Sequence, residues 1–174
     1  ENNYVKWHIS TSSGTYVVAF TTKNDVKIPL LLDIGTVGTG DGHFLFSTFT
    51  DNDLVDSWNN EDYKPSMVTN MNTVDSTDNN SNNTIDRFWI INQENYSTQP
   101  SANLTFMYDD AERSATGNTI SGGNLSAQYY DESTNEWAFP NTGIDLLPTP
   151  LVTDIPYTGH AIWTLVNKCC IVVP

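Results

Sequence analysis

Between Asp86 and Glu136 the chain carries three aromatic segments, Arg87-Phe88-Trp89-Ile90-Ile91, Asn103-Leu104-Thr105-Phe106-Met107-Tyr108 and Asn124-Leu125-Ser126-Ala127-Gln128-Tyr129-Tyr130. In the second, Leu104, Phe106 and Tyr108 fall on one side of an extended backbone, and in the third Leu125, Ala127 and Tyr129 do the same. A period of two belongs to strands, because successive side chains of an extended chain point to opposite faces. Asp109-Asp110, Gly117-Asn118 and Ser121-Gly122-Gly123 separate the segments. These residue types tolerate positive φ or bond their own backbone, which suits turns. No window of about 11 residues holds an i, i+3, i+4, i+7 apolar stripe free of turn residues. The pattern predicts an all-β chain: a two-sheet antiparallel β-sandwich, Ig-like or jelly-roll-like.

The 174 residues, 38% of them hydrophobic, suit one sandwich domain over residues 1–174, with residues 167–174 as an apolar tail. Seven Lys and Arg stand against 21 Asp and Glu, a formal charge of -14. Such a charge repels phosphate backbones and anionic headgroups, so no nucleic-acid partner is expected. No apolar run approaches the roughly 18 to 20 residues of a spanning helix, so no membrane insertion is expected either. The chain opens on Glu1 without an initiator Met, as a processed segment of a longer precursor would. Lys is scarce while Asn, Thr and Ser abound, a surface chemistry frequent in exported β proteins. Asn-x-Ser/Thr sequons begin at Asn79, Asn82, Asn95, Asn103 and Asn124.

Along the chain, Val5, Trp7 and Ile9 alternate with Lys6 and His8, and Tyr16, Val18 and Phe20 share a face beyond the Thr11-Ser12-Ser13-Gly14 turn. The two segments read as a hairpin. Residues 28–34 read as a strand buried on both sides or an element covered by a loop, residues 35–42 as a glycine-rich connection, and residues 43–50 and 63–72 as further strands. Pro148, Pro150 and Pro156 remove ladder donors, which predicts a crossing on a sheet edge or outside the sheets. Residues 160–166 form the last strand. The expected core includes Trp7, Val18, Phe20, Phe106, Tyr108, Tyr129 and Trp163.

Several of these segments occur in a recognisable order. Tyr63-Lys64-Pro65, Arg87-Phe88-Trp89-Ile90, Leu104 to Glu112, Leu125-Ser126-Ala127-Gln128-Tyr129-Tyr130 with Glu136-Trp137, and Gly159-His160-Ala161-Ile162-Trp163-Thr164-Leu165 follow one another. The succession, over roughly residues 44 to 166, resembles a β-sandwich module of large secreted Bacteroidota proteins. That module commonly precedes the C-terminal sorting domain of the type IX secretion system. The resemblance implies an exported module, extracellular or at the cell surface, and brings no catalytic residues with it.

Enzyme signatures are scarce. His8, His43 and His160 lie far apart without metal-ligand spacing, and no Gly-x-Ser-x-Gly elbow, phosphate loop or His-Glu-x-x-His occurs. No catalytic residue is therefore assigned. Two acidic loops offer the hard oxygen ligands that Ca²⁺ prefers: Asp51, Asp53 and Asp56 in one, Asp109, Asp110 and Glu112 in the other. Neither follows the EF-hand spacing, and solvated turn residues are the alternative. No cofactor is required. Trp58 and Trp137 sit in polar surroundings, where an indole either stacks on a sugar ring or closes a lid over the core.

The adjacent Cys169 and Cys170 face a strained ring if they bond each other. They are either small buried apolar side chains or partners in an intermolecular bridge. With Ile171, Val172 and Val173 they make an apolar segment. It docks on its own sandwich or adds as a strand to a neighbouring copy, a contact that propagates into a filament. The functional expectation is a non-catalytic structural or adhesive module whose partners are other copies or neighbouring surface proteins. A glycan-binding module is the alternative.

Overall fold

The structure, a computed structural model, describes residues 3–9, 12–50, 65–72, 79–138 and 143–168. Its strands are β1 (Val5–His8), β2 (Gly14–Val18), β3 (Leu30–Thr36), β4 (Thr39–Phe49), β5 (Phe88–Thr98), β6 (Ser101–Met107), β7 (Leu125–Asp131), β8 (Glu136–Trp137), β9 (Ile144–Asp145), β10 (Leu151–Pro156) and β11 (Ile162–Asn167). A four-residue helix, α1 (Asp110–Arg113), follows β6. The strands form a six-stranded sheet in the order β1-β4-β5-β11-β7-β8 and a five-stranded sheet in the order β2-β3-β6-β10-β9. Their pairings are antiparallel. This is the two-sheet sandwich that the alternation predicts.

The sheets are joined by a folded ribbon. β4 and β11 flank β5 in the larger sheet, while β3 and β10 flank β6 in the smaller one. Each of the three arms therefore passes from one sheet into the other, through residues 37–38, 99–100 and 157–161. The turns are packed together: a Cβ on Gly38 would lie 2.8 Å from the Thr98 carbonyl oxygen and 2.9 Å from Pro100 Cδ. The two sheets of the sandwich are thus wound together as one ribbon bent over itself.

This winding corrects four expectations. β1 and β2 are not a hairpin but belong to different sheets, because Trp7 and Tyr16 are both drawn into the interior, where their rings meet edge to face at 6.0 Å. The glycine-rich stretch is not one long connection: β3 ends at Thr36 and β4 begins at Thr39. Gly40 and Gly42 lie within β4, whose register against β5 slips on either side of Gly40, and a Cβ at Gly42 would fall on the Tyr96 ring. β10 lies inside the smaller sheet, with Pro150 just before it and Pro156 as its last residue, positions where the missing N–H costs little. Of residues 63–72, the described 65–72 form a turn and irregular chain rather than a strand.

Phe44, Trp89, Ile91, Leu104, Phe106 and Trp163 fill the space between the sheets, with the Trp89 and Phe106 rings 4.4 Å apart. Of the expected core, Val18, Phe106, Tyr108 and Trp163 are buried, while Trp7, Phe20 and Tyr129 pack half-buried against it. A second cluster, Phe88, Tyr130, Trp137 and Ile162, joins Val68 and Met71. The chain neighbours Trp89, Tyr129 and Trp163 belong to the central core, so alternation turns this second set onto the outer face of the larger sheet. Residues 65–72 cover it there.

Candidate functional site

Asp109, Asp110 and Glu112 surround α1 at the end of the sandwich opposite the folded turns. Asp109 is the N-cap and accepts from the Ala111 N–H at 3.0 Å, while Glu112 reaches back to the Asp109 N–H at 3.3 Å. This reciprocal capping box satisfies donors that a helix start leaves free. Glu112 then turns inward. Both of its oxygens accept from Arg87, Oε2 from Nε at 2.8 Å and Oε1 from Nη2, and Arg87 Nη1 donates to Thr48 at 2.8 Å. Burial pushes the Glu112 carboxyl above the usual glutamate range, against the pull of the guanidinium. Asp109 and Glu112 are thus engaged in folding the chain locally, and Asp110 adds a negative charge to the first turn of the helix. No group of three or more His, Cys, Asp and Glu among the described residues is placed to hold a metal ion. Asp51, Asp53 and Asp56, the other acidic loop, lie outside the described residues.

Of the two readings of Trp137, exposed sugar platform or covered indole, the structure shows the covered one. It is 1% exposed, it stacks on Phe88 at 6.0 Å, and its indole N–H donates to the Asn70 carbonyl at 2.9 Å. The cause is the pairing of β8 with β7, which sets Trp137 opposite Tyr130 on the face that residues 65–72 cover. Trp58, Cys169, Cys170, Ile171, Val172 and Val173 lie outside the described residues. All five sequon asparagines are exposed.

Two surface features were not legible in the sequence. The first is on the smaller sheet. Val17, Leu31 and Thr105 are successive partners across β2, β3 and β6; Thr105 and Thr153 share a hydroxyl hydrogen bond of 2.9 Å; and Thr153 pairs with Ile144 on β9. The chain neighbours of Val17, Leu31 and Thr105 point into the core, so these three residues, with Thr153 and Ile144 beside them, form one uncharged row across the five strands. It ends in Val17, 51% exposed, and Ile144, 53% exposed, on the two edge strands.

The sheet edges differ in how they are guarded. β8 and β9 are two residues long, and β1 is four residues long and carries Lys6. Short length and lysine both discourage pairing with another chain. β2, Gly-Thr-Tyr-Val-Val, has no charge and no proline.

The second feature is on the larger sheet, where His8 pairs opposite His43 and His43 opposite Glu94. The three side chains form a row across β1, β4 and β5. The histidine ring centroids are 5.1 Å apart, and His43 Nε2 lies 2.9 Å from Glu94 Oε2. His43 is buried and His8 exposed. Only strand register could bring together residues so far apart in the chain. No protein-family model, curated protein or solved structure matches this chain.

Proposed function

We propose that the chain is a non-catalytic structural or adhesive module of the cell exterior that associates with further copies of itself by strand addition at β2. The observation that carries this reading is the unguarded edge: five residues without charge or proline, ending a sheet in a chain otherwise crowded with acids. An unpaired ladder is a template for a donated strand, and alternate side chains of the donor read the adjoining face. The uncharged row that begins at Val17 supplies that face. Cys169, Cys170, Ile171, Val172 and Val173 have the composition of a donor, and a head-to-tail contact of this kind extends into a filament. The resemblance to secreted Bacteroidota modules and the surface rich in hydroxyl and amide groups support an exterior location.

Sedimentation at rising protein concentration tests the reading. The parent chain is expected to associate, and Val17→Lys to remain a monomer with an unchanged melting temperature, because the new charge sits on an exposed edge. Deletion of residues 169–174 is expected to leave a folded monomer. A parent that stays monomeric throughout, or a Val17→Lys chain that associates like the parent, refutes strand addition at β2.

A further inference from the structure

The geometry points to a two-histidine site, His8 with His43, for a divalent transition metal ion of the zinc class, which clips the edge strand β1 onto β4. The argument begins with Glu94. Its carboxylate oxygen lies 2.9 Å from His43 Nε2, and since a carboxylate accepts hydrogen bonds, the neutral ring that fits this contact is the one with its proton on Nε2. In that tautomer His43 Nδ1 is a bare lone pair. It is buried and has no hydrogen-bond partner among the described residues, a state that costs free energy inside a protein.

The two nitrogens of an imidazole point in divergent directions. With Nε2 aimed at β5, Nδ1 faces the opposite side of β4, where β1 places His8 directly across the ladder. Two nitrogens bound to one zinc ion lie within about 4.2 Å of each other, twice the metal–nitrogen bond length. Rings whose centroids are 5.1 Å apart can meet that limit. A carboxylate that holds the far nitrogen of a ligating histidine is the usual support for such an ion, fixing the tautomer and raising the basicity of the ligand. The exposed His8 is open to solvent, so an ion would reach the buried His43 Nδ1 by displacing the His8 ring, with water completing its coordination. Imidazole suits Zn²⁺, Cu²⁺ and Ni²⁺ rather than Ca²⁺.

Zinc chloride titrated into the full chain carrying Cys169→Ser and Cys170→Ser, followed by calorimetry and thermal melting, tests the site without thiolate ligands. One ion per chain is expected, with a melting temperature that climbs as Zn²⁺ is added, since only the folded chain presents both rings. His8→Ala, at an exposed position on an edge strand, should melt like the parent without metal and lose both the tight binding and the shift. Glu94→Gln should weaken binding by about 10- to 100-fold, and His160→Ala should leave it intact. A His8→Ala chain that binds Zn²⁺ as tightly as its parent, or a parent that shows no shift at millimolar Zn²⁺, overturns the assignment. Both readouts are taken at a protein concentration where sedimentation shows a monomer, so that failure of this site and failure of self-association are told apart.

Discussion

Arg87 and Glu112 face each other inside the protein, their side chains 3% and 2% exposed, with two parallel hydrogen bonds between guanidinium and carboxylate. Removing one partner of a buried pair strands the other charge. Glu112→Ala should therefore cost about 3–5 kcal/mol, and the Arg87→Met, Glu112→Leu double replacement much less. Urea denaturation of Glu112→Ala and of the double variant checks this, and a loss below about 1 kcal/mol for Glu112→Ala would mean that water reaches the pair.

Tyr96 lies across Gly42 and anchors its hydroxyl on the Ile9 carbonyl at 2.6 Å. A methyl group at Gly42 has no room unless the ring moves, so Gly42→Ala should lose about 1–3 kcal/mol, the usual cost of overpacking. Adding Tyr96→Ala removes the obstacle. Melting curves should then show the double variant losing less than the sum of the single changes.

Burial pushes the Tyr96 and Tyr108 phenols up to about 12 from an ordinary 10.0, with Tyr16 adding to the shift at Tyr96 and Asp145 at Tyr108. Burial also raises Tyr157. Each folded phenol keeps its proton at a pH where the unfolded chain has lost it. Stability is therefore full below pH 10 and falls as pH climbs from 10 to about 12. Melting temperature against pH should show that decline, and Tyr157→Phe should make it shallower. A flat profile across the window would place the phenols in contact with water.

Asp109 separates a cap from a calcium ligand. Asn also caps well, so Asp109→Asn should leave stability nearly unchanged, whereas Asp109→Ala should lose about 0.5–2 kcal/mol. If this loop also takes Ca²⁺, millimolar calcium raises the melting temperature of the parent and both substitutions abolish the rise. Differential scanning calorimetry with and without calcium distinguishes the two roles.

The inward faces of strands were legible wherever alternation ran undisturbed, as at Leu104, Phe106 and Tyr108. The sheet to which a strand belongs was not. Phe88–Thr98 and Ser101–Met107 lie one after the other in the chain but in different sheets, and a period of two marks the buried side of both without saying which layer each joins. Trp7 and Tyr16 misled for that reason, since residues facing each other across a core carry the same pattern as neighbours in a hairpin. Trp137 looked exposed because its flanks are polar, yet the cover over it comes from residues far away in sequence. The His8, His43 and Glu94 row depends on register alone, and no local pattern encodes register between distant strands.

β11 lies between β5 and β7, near the middle of the six-stranded sheet, although it follows every other described strand in chain order. On a ribosome, which delivers the chain from its N-terminal end, β5 and β7 must wait with bare flanks until Ile162–Asn167 emerges. Completion of the sheet therefore waits for a strand that emerges well after its two neighbours, and a chain stalled before it exposes the hydrogen-bonding ladder that invites premature clumping. Chaperone dependence should be greatest in that interval and should end when the strand slots in.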